Sequence, residues 1–389
     1  MGTDDGRSAR SPRPDTLAVH AGSRADAEGA VVTPIYQSAT FAFPSGERPL
    51  VYTRYGNNPT QIAVQEKLAA LEGAEAALVL ASGMAALATA ILSVCGHGDH
   101  VVAAPSLYGG THILLDRELP RLGIEVTYAA GLEPSEWEAA IRPRTRLLLW
   151  EAISNPLLRV PDAPILAGLA RERGLTSLVD ATFATPINQR PLDLGVDLVM
   201  HSATKYLGGH SDLIGGVLAG SAERIEWTTE AMHSFGGSAD PHAVFLLERG
   251  LKTLALRVAR QNANGRQVAE FLAGHPKIER VIYPTLKDHP DRAVAERLLA
   301  GAGGIVTFLP RAAGPRAERL VESFRWIRLA PSLGGVDSLV SMPSKTSHRS
   351  LAPADRAALG IPDSMIRLAL GIEAAEDLIE DLDRALAGL

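Results

Sequence analysis

The chain has 389 residues, enough for two domains around a large core. Hydrophobic residues make up 46% and charged residues 21%, as in an ordinary globular protein, and a formal net charge of -6 gives no basic footprint for nucleic acid. The single cysteine, Cys95, excludes a disulfide framework within the chain and any Cys-rich zinc site, and no apolar run reaches the length of a membrane-spanning helix.

The N-terminus is polar and acidic, unlike a signal peptide, so a cytoplasmic location is expected. Residues 1 to about 15 lack apolar anchors and read as disordered. Residues 16–60 carry prolines and aromatics (Pro34, Tyr36, Phe41, Phe43, Pro44, Tyr52, Tyr55) without clear periodicity. They read as an irregular arm over residues 1–60 whose aromatics need a surface, and another subunit is one such surface. Gln61 to Leu71 reads as an amphipathic helix stopped by Gly73, and Ala76 to Ala81 as a strand. A second helix opens at Ser82-Gly83-Met84 and runs through Val94.

Short apolar runs then alternate with helical stretches. The strands expected are His100–Ala104, Ile124–Tyr128, Leu147–Trp150, Leu175–Val179 and Leu198–His201. The helices between them include Gly110–Leu119, Pro134–Ile141 and Pro164–Arg173. Strands that are apolar throughout, rather than on alternate residues, predict an α/β fold with a mostly parallel sheet covered on both faces. Ile214–Ala219 is a further strand, and a long helical region follows over roughly His242–Ala273. Ile278–Tyr283, Gly304–Leu309 and a last helix over Ala374–Leu389 suggest a smaller C-terminal α+β domain over 256–389, after a larger one over 61–255.

Polar residues recur where these strands end, which is where a parallel sheet binds ligands. Tyr108 follows the strand at Val101, Glu151 and Asn155 follow Leu147–Trp150, and Asp180 ends Leu175–Val179. Lys205, in His201-Ser202-Ala203-Thr204-Lys205, follows Leu198–Met200. A lysine between hydroxyls and a glycine pair suits an amine that loses its proton and bonds a carbonyl carbon beside a phosphate. An aldehyde with a phosphate describes pyridoxal phosphate. The competing reading is a surface lysine at a strand end. Asp180 suits the pyridine nitrogen of that cofactor or, alternatively, a turn cap. Ser82-Gly83-Met84 offers free amides to a phosphate or is a simple N-cap. Tyr108 is a catalytic candidate that stacks on a planar ring or moves protons, or alternatively only packs a turn. Arg367, inside the apolar run Met365–Leu370, needs an anion: a substrate carboxylate or a structural carboxylate. His97 and His100 flank a turn-like Gly98-Asp99 without further ligands nearby, so no metal site is expected.

Taken together, these residues resemble the Cys/Met-metabolism (transsulfuration) family of pyridoxal-phosphate enzymes from about Thr16 to the C-terminus. The motifs are Thr33-Pro34-Ile35-Tyr36, Tyr52-Thr53-Arg54-Tyr55-Gly56, Ser82-Gly83-Met84-Ala85, Leu107–Thr111, Ser154-Asn155-Pro156, Val179–Pro186, His201–Asp212, Ser332-Leu333-Gly334-Gly335 and Ile366-Arg367-Leu368. The resemblance implies the aspartate-aminotransferase-like fold and a homotetramer built from tight dimers. It implies that Lys205 holds the cofactor and shuttles protons, that Asp180 binds the pyridine nitrogen and that Tyr108 stacks on the ring. Gly83, Met84, Ser202 and Thr204 would hold the phosphate, and Tyr52 and Arg54 would reach the phosphate of a neighbouring subunit. Asn155, Ser332 and Arg367 would face the substrate carboxylate, and Asp337 a distal ammonium. The implied chemistry is γ-elimination or γ-replacement on a sulfur- or oxygen-substituted homoserine-type amino acid. Cystathionine γ-lyase or γ-synthase activity leads, ahead of methionine γ-lyase-like cleavage, O-acyl-homoserine sulfhydrylation or a γ-substitution of specialised metabolism. A non-catalytic relative is the alternative from a different class. Departures from the family pattern are Gly110 where methionine γ-lyases carry cysteine, Val51 where an acidic residue precedes the Tyr-x-Arg motif, Asp337 in place of Glu, Ala181 in place of Asn, and an extra residue at Asn57-Asn58.

Overall fold

The continuous apolar runs form the middle of a seven-stranded sheet. The computed structural model describes residues 12–24, 27–42, 50–312, 314–349 and 352–389. Residues 1–11, on which most of the expected disorder falls, lie outside these, as do Phe43 and Pro44 of the arm. In chain order the large sheet comprises β1 (Ala76–Leu80), β2 (His100–Ala103), β3 (Glu125–Tyr128), β4 (Thr145–Glu151), β5 (Thr176–Asp180), β6 (Leu198–Ser202) and β7 (Gly216–Gly220). Their spatial order is β1-β7-β6-β5-β4-β2-β3. Only β7 runs against its neighbours β1 and β6; the pairs β6–β5, β5–β4, β4–β2 and β2–β3 are parallel. Leu147 to Glu151 and Leu198 to His201 are buried without alternation, as strands covered by helices on both faces must be.

Local chemistry fixes the helices that flank the site. Pro59–Glu72 starts with a capping box. Asn58 Oδ1 accepts from the Thr60 amide at 2.9 Å, and Gln61 Oε1 accepts from the Asn58 amide at 3.0 Å. Gly83–Val94 is capped by Ser82, whose hydroxyl accepts from the Ala85 amide at 3.0 Å.

The second sheet holds β8 (Ile278–Ile282), β9 (Ile305–Pro310), β10 (Arg328–Leu329), β11 (Leu339–Ser341) and β12 (Ile366–Ala369), ordered β10-β11-β12-β9-β8. It is antiparallel except for the β10–β11 pair. The helix Leu254–Gly274 serves both cores: Leu254 and Val258 pack into the first, and Val268, Ala269 and Leu272 into the second.

Three expectations are corrected. Order begins early, because Pro14 starts a helix to His20 whose last carbonyls, Ala18 O and Val19 O, accept from the buried Lys67 ammonium at 3.1 Å. The long helical region is two helices, Pro241–Leu251 and Leu254–Gly274. At the break the buried Arg257 donates to Gly250 O at 2.7 Å and to Tyr206 O at 2.6 Å, which also ties down the loop carrying Lys205. A helix at Ala222–Phe235, capped by Ser221, occupies a stretch with no expected element. Among the described residues no helix is long and apolar enough to cross a membrane. The His100 ring is satisfied by Thr145 Oγ1 at 2.8 Å and Thr127 Oγ1 at 2.9 Å.

Candidate active site

The carboxyl ends of β1, β2, β4, β5 and β6 open onto one cavity of about 690 Å³, closed from the far side by Pro331–Leu333, Lys345–Ser347, Arg349 and Arg367. Lys205, Asp180, Tyr108, Gly83, Met84, Ser202, Thr204, Asn155, Ser332 and Arg367 all line it. The fold therefore brings together ten of the residues singled out from sequence. Lys205 follows β6, which pairs with β5, the strand that Asp180 ends.

The Lys205 ammonium donates to Ser332 Oγ at 2.8 Å. Burial, assisted by the nearby Arg367 charge, pulls its pKa down to about 8. Arg367 is 4% exposed and donates to Asn155 Oδ1 at 3.0 Å and to Ser332 O at 3.2 Å. Its Nε has no partner, burial lowers its pKa to about 10, and no carboxylate pairs with it among the described residues. A buried guanidinium satisfied only by neutral oxygens is an anion site awaiting its anion. Ser332 has φ of 91°, a region costly for a residue with a side chain. Its hydroxyl is held by Lys205 and its carbonyl by Arg367, so the strain sits where the two cations meet.

At the floor, Asp180 lines the cavity and takes two hydrogen bonds from Thr182, both at Oδ1. Burial raises its pKa. A protonated ring nitrogen beside Asp180 would favour the carboxylate. Thr182 Oγ1 accepts from the Ser202 amide at 2.8 Å, coupling the ends of β5 and β6. The end of β1 meets the end of β6 so closely that a Cβ on Gly83 would lie 2.8 Å from Ser202 Cβ. Gly83 and Met84, at the start of their helix, and Ser202 line this cleft, an arrangement suited to a phosphate. Thr204 Oγ1, also at the lining, is engaged by Gly215, whose amide donates to it at 3.1 Å.

Glu151 was noticed as a strand-end carboxylate but given no task by sequence. In the fold it bridges two loops, accepting from the Tyr108 amide at 2.6 Å and the Asn155 amide at 2.9 Å. Burial and the Asp180 charge push its pKa well above the usual carboxylate range. The Tyr108 ring is 43% exposed and lies over Gly110, where a Cβ would come within 2.4 Å of its Cε1. The Lys345–Arg349 wall was also missed, because a loop carries no periodic signal.

Three expected site residues lie elsewhere. Asp337 is exposed and does not line the cavity. Its neighbours are drawn toward the irregular segment after β12: the Ile372 amide donates to Val336 O at 2.9 Å, and Ser338 donates to the Glu373 carboxylate through its amide at 2.6 Å and its hydroxyl at 2.9 Å. Tyr52 and Arg54 also lie outside this cavity. Arg54 sits over the Tyr55 and Tyr52 rings, 4.8 and 5.5 Å from their centres, and donates to His233 O at 2.6 Å.

Comparison with known proteins gives a consistent result. The family model described as "Cys/Met metabolism PLP-dependent enzyme" matches residues 15–387. A cystathionine gamma-lyase of Bacillus subtilis is 41% identical, with 96% of this chain and 99% of that protein covered. A cystathionine gamma-synthase of Mycobacterium bovis is 43% identical, with 96% of each covered. The crystal structure of cystathionine gamma-lyase from Lactobacillus plantarum complexed with L-serine superimposes with a TM-score of 0.93 at 37% identity, covering 97% of this chain and 99% of that one. With its α/β fold, its mostly parallel seven-stranded sheet and this match over nearly its whole length, the chain belongs to the Cys/Met metabolism family of pyridoxal-phosphate-dependent enzymes.

Proposed function

We propose that this family member catalyses γ-elimination or γ-replacement on a homoserine-type amino acid bearing sulfur or oxygen at Cγ, of the cystathionine γ-lyase or γ-synthase kind. The observation that carries the reading is the Lys205–Ser332–Arg367 linkage: an amine of lowered pKa and a buried, carboxylate-free guanidinium share one strained serine at one cavity. The bound cofactor supplies a carbonyl carbon and an electron sink.

Lys205 would hold the cofactor through Nζ and would move the proton at the substrate Cα. Its pKa of about 8 lets it cycle between acid and base near neutrality. Asp180 would hold the ring nitrogen, Tyr108 would cover the ring, and Gly83 and Met84 with Ser202 and Thr204 would take the phosphate. Arg367, Asn155 and Ser332 take the α-carboxylate. Tyr52 and Arg54 serve the phosphate of a neighbouring subunit in a homotetramer of tight dimers. The exposed apolar side chains of the arm support this, Val31 at 93% and Leu50 at 46% among them. Residues 61–255 then form the cofactor domain and 256–389 the C-terminal domain, and a cytoplasmic location belongs to the same reading.

Relatives named for lyase and for synthase activity match equally well, so the choice between elimination and replacement is one for the bench. Cystathionine, methionine and O-acyl-homoserines, each with and without an added thiol, test it by scoring 2-oxo acid against thioether. Turnover of homoserine derivatives with Lys205→Ala inactive is expected. No product and no spectral change with any amino acid would overturn the reading.

A further inference from the structure

The turn that carries Tyr108 is held from three sides, and one of them has no assigned part. The Tyr108 amide donates to Glu151 at 2.6 Å, and its carbonyl accepts from the His112 amide at 3.1 Å. The third side is His348, which is 1% exposed and does not line the cavity. Its Nδ1 meets the Ser347 hydroxyl at 2.9 Å, and the carbonyl of Leu107, the residue before Tyr108, is its other partner. A neutral imidazole serves both at once, accepting from Ser347 Oγ at Nδ1 and donating to Leu107 O from Nε2.

A positive charge on this ring would break the bond from Ser347, and the surroundings keep the charge away. Burial, with His112 nearby and the Arg367 and Arg356 guanidiniums beyond it, pulls the His348 pKa down to about 4 against the opposing pull of Leu107 O. His112 is also buried, and burial lowers its pKa despite Asp116. The Tyr128 hydroxyl donates to Asp116 at 2.6 Å, so its oxygen accepts from His112 Nδ1 at 3.0 Å. The cavity wall is tied to the same place. The Ser347 carbonyl lies 1.6 Å from where a Cβ on Gly109 would be, and the His348 amide donates to Pro343 O at 2.9 Å. The Tyr108 ring is 43% exposed, so the backbone at 107–109 sets its direction.

We propose that His348 is a positioning residue for Tyr108: by joining the Ser347 hydroxyl to the Leu107 carbonyl it fixes the 345–349 loop against residues 107–109 and holds the Tyr108 ring in place over the cofactor. This rests on the reading above, in which Tyr108 covers the ring, and deepens it with a residue that never touches the reacting atoms.

The test is a double-mutant cycle on the cofactor-loaded enzyme, with the substrate turned over best in the panel above. It measures kcat/KM and the visible circular dichroism of the bound cofactor for His348→Leu, His348→Gln and Ser347→Ala, each with Tyr108 intact and with Tyr108→Ala. With Tyr108 intact, His348→Leu should lower kcat/KM about tenfold and change the dichroism. In the Tyr108→Ala background the further loss should fall below about twofold, because the group it acts through is gone. His348→Gln keeps an acceptor and a donor and should recover most of the loss. Ser347→Ala removes one bond, should show a smaller loss of the same pattern, and replaces His348→Leu if that variant does not fold. An equal loss in both backgrounds, or no loss in kcat/KM in either, would overturn the proposal. Failure of the underlying reading shows separately: Tyr108→Ala then leaves kcat/KM unchanged, or borohydride fixes no cofactor to Lys205.

Discussion

At the scale of single residues, burial does most of the chemical tuning. Lys205 owes its lowered pKa first to desolvation and second to Arg367. The neutral amine is the reactive form, so a lower pKa exposes more of it at a given pH. In apo-protein, peptide-resolved labelling of Lys205 by an amine-directed reagent should rise through about pH 8, where an ordinary lysine requires about 10.4. Arg367→Leu should move that midpoint upward, because removing a nearby cation favours the ammonium. Glu151 is held by two amides rather than by a charge, and a glutamine there would turn an N–H toward one of them. Glu151→Gln should cost about 1–3 kcal/mol in denaturant unfolding and loosen both the Tyr108 and Asn155 loops. Lys205, Asp180, Tyr108 and Arg367 were legible in the sequence because each is a polar residue at or inside an apolar run. Asp337 misled because its direction is set by Glu373 and Ile372, on a different segment.

At the scale of elements, legibility followed burial. β4, β5 and β6 are covered on both faces, so their composition alone marks them. β10 and β11 span only two and three residues, too few for any pattern, and Ala222–Phe235 is a largely polar helix whose apolar face is broken by exposed Trp227 and Phe235. The mouth of the cavity was invisible for a further reason: it forms by contact between Gly109 and Ser347, 238 positions apart by their numbers. A methyl group at Gly109 cannot coexist with the Ser347 carbonyl at 1.6 Å. Gly109→Ala should therefore destabilise the fold by about 1–3 kcal/mol and lower kcat/KM by moving the wall away from Tyr108. Thermal unfolding together with steady-state kinetics checks both effects.

At the scale of the whole molecule, the N-terminal arm leaves apolar side chains exposed, Val31 and Leu50 among them. Arg54 sits over the Tyr52 and Tyr55 rings and does not line the cavity, and Ile35 and Tyr36 of the arm are exposed. If Arg54 serves an adjacent subunit, Lys205→Ala and Arg54→Ala chains should each have little activity alone. Co-expressed with different tags and purified as hybrids, they should regain a fraction of wild-type activity. In a hybrid, an intact Lys205 faces an intact Arg54 at some of the sites. Hybrids no more active than the separate variants would mean that the arm works within its own chain.

The central claim concerns one nitrogen atom. The enzyme loaded with pyridoxal phosphate, reduced with borohydride, digested and analysed by mass spectrometry should carry a single pyridoxyl group on the peptide containing Lys205. A reduced protein with no adduct, or with the adduct on Lys345 or any other lysine, would contradict the assignment of the site.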